Sequence, residues 1–166
     1  AIDNIPTTTN VICAYNNYLF ALPHAGGTIS LRWSATGDPE TWDASHALAF
    51  TLSSNKDYPT SLRWFGDYLA FFSLRRLILI KGYGPLDFAV VRVINGTGAA
   101  LHRLTCVSPV QTQGSSSGLF WWSPTQGLCA TKNGVTIDFP MLRKIPATFY
   151  AVNQKTPLYG SMMWRE

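Results

Sequence analysis

Near the middle of the chain, Asp67-Tyr68-Leu69-Ala70-Phe71-Phe72 is followed after a short turn by Leu77-Ile78-Leu79-Ile80. Both runs are rich in aromatic and aliphatic residues, and neither shows helical spacing. Apolar residues at consecutive positions are typical of short strands that are buried on both faces. Gly66-Asp67, at the start of the first run, can form the tip of a tight hairpin. The stretch therefore predicts an antiparallel hairpin in the interior of a β-structure.

Segments of the same kind recur along the whole chain, and helical spacing is nearly absent. Turn residues such as Gly26-Gly27, Asn133-Gly134 and Gly37-Asp38-Pro39-Glu40 separate these segments. The fold class is therefore predicted to be all-β. The predicted strands are residues 17–22, 28–35, 47–52, 61–65, 68–73, 77–81, 88–94, 102–108, 118–123, 127–131 and 135–139.

Three of the aromatic hairpins repeat with a period of 50 residues, because their first leucines are Leu19, Leu69 and Leu119. A repeat of about 40 to 50 residues that holds roughly four short strands is typical of one propeller blade. The predicted fold is therefore β-propeller-like, with a β-sandwich of evenly spaced hairpins as the alternative. The blade-like repeats lie near residues 16–52, 61–108 and 118–166.

The length of 166 residues suits one domain with a sizeable core, so residues 1–166 are predicted to form a single all-β domain. This length holds only a little over three blades, whereas a closed propeller has about four to eight. We therefore expect either part of a longer chain or an incomplete propeller that closes its edges against neighbouring subunits.

Charged residues are scarce, at 13% of the chain against 46% for hydrophobic residues. So few charges favour an assembly subunit, whose surface is largely covered by copies of itself or by partner chains. The net charge of +4 comes from residues spread along the chain, with Arg75 next to Arg76. No basic stripe is visible, but a weakly positive surface would let nucleic acid slide past.

The sequence predicts no catalytic, cofactor-binding or metal-binding residues. Its three histidines and three cysteines are dispersed and lack the spacing of metal ligands or of a disulfide framework. Asp38, Glu40 and Asp43 are clustered, but Gly37 and Pro39 beside them indicate a capped turn rather than a calcium loop or a glycosidase pair.

The most specific segment is Ser30-Leu31-Arg32-Trp33-Ser34-Ala35-Thr36-Gly37-Asp38-Pro39-Glu40-Thr41-Trp42. It resembles a strand and turn in propeller-containing structural proteins of tailed bacteriophages, the tail-nozzle (tail tubular) and packaged-DNA-stabilisation proteins. The likeness covers about residues 12–140, in the same order. In the turn, Gly37 permits the bend, Asp38 can accept backbone N–H bonds and Pro39 restricts φ. The residues of this structural turn are Ser34, Gly37, Asp38, Pro39 and Trp42.

The resemblance implies a ring of subunits, commonly hexameric, at the portal end of the virion, through which DNA leaves. The chain is then expected to be a non-enzymatic component of the neck or tail, in a nozzle or head-completion ring, that is assembled in the host cytoplasm and needs no cofactor. Its implied partners are copies of itself and portal, adaptor or other tail proteins, without membrane insertion. Contact with DNA would be electrostatic and independent of sequence, with Arg75 and Arg76 as candidates.

Two alternatives come from other classes. Residues 34–42 come close to the Asp-box of sialidase-like propellers, Ser-x-Asp-x-Gly-x-Thr-Trp, but are one residue longer and carry Thr36 in place of the aspartate. No tyrosine nucleophile with a neighbouring acid can be identified, so a hydrolase is the weaker alternative. A glycan- or receptor-binding module needs fewer residues, and exposed aromatics beside Asn or Asp in a pocket would favour it.

Overall fold

The computed structural model describes residues 9–23, 27–52, 57–99, 106–107 and 118–131, and their regular secondary structure is entirely β-strand. The strands form three antiparallel sheets, which confirms the predicted all-β class. In this part of the chain there is no helix with the length and apolarity that a membrane crossing needs.

Strands that are neighbours in sequence are also neighbours in each sheet, so the sheets are simple meanders. The first sheet contains β1 (Thr9–Tyr15), β2 (Tyr18–Pro23), β3 (Thr28–Trp33) and β4 (Ala47–Thr51). The middle sheet contains β5 (Pro59–Phe65), β6 (Tyr68–Ser73), β7 (Arg76–Lys81) and β8 (Ala89–Asn95). The third sheet contains β9 (Cys106–Val107), β10 (Leu119–Ser123) and β11 (Gly127–Thr131). Within the described ranges, all three sheets are open and do not close into a ring.

The 50-residue period corresponds to two hairpins of the same construction. Strand β1 begins at Thr9 and β5 begins 50 residues later, at Pro59, and both strands have a register irregularity near their first residues. The β1–β2 turn uses Asn16 and Asn17 with φ of 47° and 64°, and the β5–β6 turn uses Gly66 with φ of 53°. Asparagine and glycine are the residues that adopt this left-handed region most readily.

Strands β6 and β7 of the middle sheet are buried on both faces: successive side chains of a strand point to opposite sides, and in these two strands consecutive residues are buried. Phe71 packs in a core with the aromatic and aliphatic residues of β1–β3, whereas Phe72 packs in a second core with Trp121 of β10. The rings of Phe72 and Trp121 are 5.2 Å apart. The apolar run in β6 therefore reflects a sheet that lies between two others.

Two short segments, one before and one after β8, contact the neighbouring sheets. Phe88, just before β8, packs its ring against Phe20 and Trp33 of the first sheet at centroid distances of 5.0 and 5.1 Å. After β8, the carbonyl of Thr97 accepts a hydrogen bond from the indole N–H of Trp121 at 2.8 Å. These contacts hold the middle sheet against both neighbours.

Strand β1 was not among the predicted strands. Its buried residues alternate with exposed ones, so that Val11 and Cys13 are buried while Ile12 is exposed. Because Val11 to Tyr15 are all apolar, the sequence shows no alternation of polar and apolar residues there. The 50-residue period, extended back from β5, is the signal that would have predicted this strand. The predicted strand at residues 135–139 and the Asn133-Gly134 turn lie outside the described residues.

Candidate functional site

The turn that follows β3 is tied to β2 by its first residue. The hydroxyl Oγ of Ser34 accepts a hydrogen bond from the Leu19 N–H at 3.0 Å and donates one to the Ala35 carbonyl at 2.9 Å. The backbone N–H of Ser34 donates to the Leu19 carbonyl at 3.0 Å. Gly37, three residues later, has φ of +70°, which reverses the chain direction at low cost.

Asp38 caps the second half of this turn. Its Oδ1 accepts the N–H of Glu40 at 3.0 Å, and its Oδ2 accepts the hydroxyl of Thr41 at 2.8 Å. The Thr41 hydroxyl first, and then the Glu40 N–H, lower the pKa of Asp38, because both bonds favour the carboxylate. The indole N–H of the buried Trp42 donates to the Pro39 carbonyl at 2.8 Å. The turn thus holds an ionised carboxylate at the surface.

The β1–β2 turn lies beside the turn after β3. The Asn17 carbonyl accepts the N–H of Gly37 at 2.7 Å, and the hydroxyl of Thr36 donates to the Tyr18 hydroxyl at 2.8 Å. Asn16 and Asn17 keep their positive φ values next to this contact. The two turns therefore form one continuous surface at this end of the first sheet.

The same end of the first sheet is bonded to the middle sheet. The hydroxyl of Tyr15 donates to the Asp67 carbonyl, and Nδ2 of Asn16 donates to the Gly82 carbonyl at 2.8 Å. Burial raises the pKa of Tyr15 to about 12, with a smaller contribution from the nearby Tyr83. Because both bonds end on backbone carbonyls, they fix the separation of the two sheets at this end.

A cavity of about 490 Å³ opens between these elements. Its walls include Asn17 from the β1–β2 turn, Asp38 and Pro39 from the turn after β3, and Trp64 and Gly66 from the middle sheet. Trp64 is unusual for a strand residue of its size, because 44% of its side chain remains exposed. The cavity therefore combines one accessible indole with amide and carboxylate groups.

A small polar cluster lies on the middle sheet beside the β5–β6 turn. Lys81 Nζ is 3.4 Å from the Asp67 carboxylate, and it lies 5.6 and 5.7 Å from the ring centroids of Tyr68 and Tyr83. Its pKa is raised by the hydrogen bond with Tyr83 and then by the one with Asp67. Exposed ion pairs of this kind add little to stability.

The described residues offer little for nucleophilic or metal chemistry. Burial raises the pKa of the Cys13 thiol, and it raises that of the Cys129 thiol to about 12, so both stay protonated at neutral pH. No group of three His, Cys, Asp or Glu residues that could hold a metal occurs in the described ranges. His46 stacks on Trp33 with the rings 6.1 Å apart, while His24 and His102 lie outside those ranges.

The structure places the predicted site residues in two different sheets. Of the structural turn, Ser34, Gly37, Asp38 and Pro39 line the cavity and Trp42 is buried. Arg75 is exposed in the β6–β7 turn, and the half-buried Arg76 begins β7. The backbone N–H of Arg76 donates to Oγ of Ser73 at 3.0 Å. The arginines do not line the cavity, and their contact with DNA stays a prediction.

The other half of the cavity was not predicted from the sequence. Asn17 begins the predicted strand at residues 17–22 and Asn16 directly precedes it, while Trp64 lies in the predicted strand at residues 61–65. An Asn-Asn pair between apolar runs is a recognisable hairpin turn, which would have been a usable signal. Nothing in the sequence joins that turn to Trp64, since the two are more than forty residues apart.

No protein-family model matches the chain, and no curated protein matches it.

Proposed function

We propose that the chain is a structural subunit of a bacteriophage neck or tail, in a nozzle or head-completion ring that forms part of the path by which DNA leaves. The observation that carries this proposal is the accessible apolar surface of β8. The likeness of residues 30–42 to phage structural proteins supports the same reading. A role in assembly also accounts for the low charge content of the chain.

Strand β8 ends the middle sheet, and six of its seven residues are exposed. Val91 is 52% exposed, Val90 and Val93 are also exposed, and Arg92 is the one charged residue of the strand. Leu86, in the loop before the strand, is 85% exposed. A long apolar edge strand is a template for pairing with another chain, and proteins that stay monomeric normally protect such edges with charges or proline. We assign this surface to a neighbouring copy of the same chain.

The three meanders support a blade-like role for each sheet. The first strands, β1, β5 and β9, lie side by side, as the inner strands of successive blades do. Three open sheets do not complete a propeller, so further sheets from a longer polypeptide or from neighbouring subunits would have to close it. In this proposal the ring meets a portal, adaptor or other tail protein at one end.

Any contact with DNA in such a ring would be with phosphates and would not depend on base sequence. Arg75 is exposed and is the stronger candidate, whereas Arg76 is half-buried. We expect the Arg75→Ala variant to lower the affinity for duplex DNA and to reduce its salt dependence by about one phosphate contact. Images of a ring in which this residue faces outward, away from any channel, would remove the DNA contact from the proposal.

Assembly is tested by light scattering on the native protein together with electron-microscope images of the same sample. We expect a ring-shaped homo-oligomer. The double variant Val91→Lys with Val93→Lys should weaken it, because four charges would meet wherever two such edges pair. Ala44→Lys, in an exposed turn of the first sheet, is the matched control and should assemble normally.

Two results would contradict different parts of the proposal. A stable monomer across the accessible concentration range would contradict the proposed role in a ring. A ring that the β8 variant leaves intact would keep the ring but remove β8 as its contact.

A further inference from the structure

We propose that the cavity between the β1–β2 turn, the turn after β3 and Trp64 binds a neutral sugar, one pyranose ring at a time. The proposal does not depend on the role in assembly, because β8 is absent from the cavity walls. It rests on the indole, on the polar groups around it, and on the charge of the walls.

The indole of Trp64 supplies the apolar wall. Phe65 next to it and Leu62 two residues before it in β5 are buried, and Leu69 opposite it in β6 is also buried, yet Trp64 keeps 44% of its surface accessible. Exposing so large an apolar side chain has a cost that a ligand would relieve by covering it. The C–H groups on one side of a pyranose form a flat apolar patch of a size that suits an indole ring.

Asn17 and Asp38 supply polar groups across the cavity from separate turns. The carboxamide of Asn17 can both donate to and accept from sugar hydroxyls. The Asp38 carboxylate is ionised at neutral pH, since its hydrogen bonds lower its pKa. Its oxygens each accept one short-range bond, from Glu40 and Thr41, and retain further lone pairs for hydroxyl donors.

These groups are held in place before any ligand arrives. The bond from the Gly37 N–H to the Asn17 carbonyl joins the two turns, and the bond from Asn16 Nδ2 to the Gly82 carbonyl joins them to the middle sheet. Preformed polar groups around an apolar wall are characteristic of small-ligand sites, and the cavity of about 490 Å³ has a suitable size for one.

The charge of the walls selects a neutral ligand. Asp38 is the one charged residue among the described residues that line the cavity, and neither lysine nor arginine is among them. A phosphate, a sulfate or an acidic sugar would meet a carboxylate without a compensating cation. The site is therefore expected to reject sialic acid, which distinguishes it from a sialidase pocket.

The experiment uses the 166-residue protein labelled with 15N, whose six tryptophans give resolvable indole N–H signals. The Trp64→Phe variant identifies the signal of Trp64. The probes are methyl glucoside, methyl galactoside, methyl mannoside and N-acetylglucosamine, each raised to about 50 mM because single sugars bind weakly. Sialic acid is the acidic probe. We expect at least one neutral sugar to shift the Trp64 signal in a saturable way, and sialic acid to leave it unchanged.

Variants are compared by saturation transfer from the protein to the bound sugar. We expect Trp64→Ala to abolish the transfer and Asn17→Gly to weaken binding about fivefold, since a hydrogen bond is lost while the positive φ of the turn is kept. Trp122→Ala is the control, because the half-buried Trp122 lies on β10, outside the cavity walls, and that variant should bind normally. Dispersed methyl signals verify that each variant is folded. If Trp64→Ala does not fold, Trp64→Phe replaces it in this comparison.

The proposal is overturned if no neutral sugar shifts the Trp64 signal, if Trp64→Ala binds as well as the parent protein, or if sialic acid is the preferred ligand. Ring formation is measured separately by light scattering, so the failure of either proposal is recognised independently of the other.

Discussion

Replacing Phe72 by alanine tests whether strand β6, in the middle sheet, is buried on both faces. Phe71 and Phe72 are adjacent in β6, are both 0% exposed, and belong to different cores. In a two-layer sandwich one of two adjacent strand residues would face solvent, and its replacement would change stability by less than about 0.5 kcal/mol. In the three-layer arrangement both replacements leave a cavity in a core.

The expected loss is about 3 to 5 kcal/mol for each of the two variants, since truncating a buried phenylalanine removes transfer free energy and leaves unfilled space. Phe72 also loses its ring contact with Trp121 at 5.2 Å. With a urea m-value of about 2 kcal/mol per molar, the unfolding midpoint should fall by about 1.5 to 2.5 M. The assay is urea unfolding followed by circular dichroism and tryptophan fluorescence.

Ile12→Ala is the control, because Ile12 is exposed on β1, away from the β8 surface, and its truncation should change the free energy of unfolding by less than about 0.5 kcal/mol. Phe71→Leu and Phe72→Leu replace the alanine variants if those do not fold, with a smaller expected loss of about 1 kcal/mol each. The layered arrangement is refuted if Phe72 variants unfold at the urea concentration of the parent protein while Phe71 variants do not.

Three further predictions concern the turns and the contact between sheets. Gly98→Ala should lower the free energy of unfolding by about 3 kcal/mol in urea, because the added Cβ would overlap the Leu74 carbonyl carbon. Gly96→Ala should lower it by about 1 kcal/mol, because Gly96 has a positive φ but lies in open space. Equal losses in the two variants would contradict the predicted overlap at Gly98. Ser34→Ala should cost about 1 to 3 kcal/mol in the same assay, since the partly buried backbone N–H of Leu19 loses its acceptor, and a neutral result would show that another group replaces it. The raised pKa of Tyr15, about 12 against an ordinary value near 10, means that the unfolded chain loses the phenol proton first, so stability should fall as pH rises from 10 to 12. Tyr15→Phe should have a shallower decline in that range, measured as the urea midpoint at several pH values, and an unchanged slope would count against the assignment.

The middle of the fold could be predicted from sequence because its signals are local. Leu69 to Phe72 and Leu77 to Ile80 are apolar at every position, and the four residues between them leave a hairpin as the simplest arrangement. Strand β1 escaped prediction because its outward residues, Ile12 among them, are not polar enough to give a clear alternation. The 50-residue period contained the missing information, since β1 and β5 are equivalent members of the repeat.

The candidate site was only half predictable. Ser34, Gly37, Asp38 and Pro39 are contiguous in sequence, and the chemistry of each residue indicates a capped turn. Trp64 joins them because the first and middle sheets share a core and because the Tyr15 and Asn16 side chains bond to backbone carbonyls of the middle sheet. No property of Trp64 in its own strand distinguishes it from a core tryptophan such as Trp121.

By itself, the sequence determined the all-β class, the positions of most strands and the chemistry of the turns, since each depends on residues within a few positions of one another. The tertiary structure alone decided that the middle sheet lies between two others, that β8 is left uncovered, and that a cavity forms beside Trp64. The physical reason is that burial is a property of all the elements that surround a side chain, and those elements come from distant parts of the chain. Val91 and Phe72 are both apolar strand residues, and only their neighbours in space leave one exposed and the other fully buried.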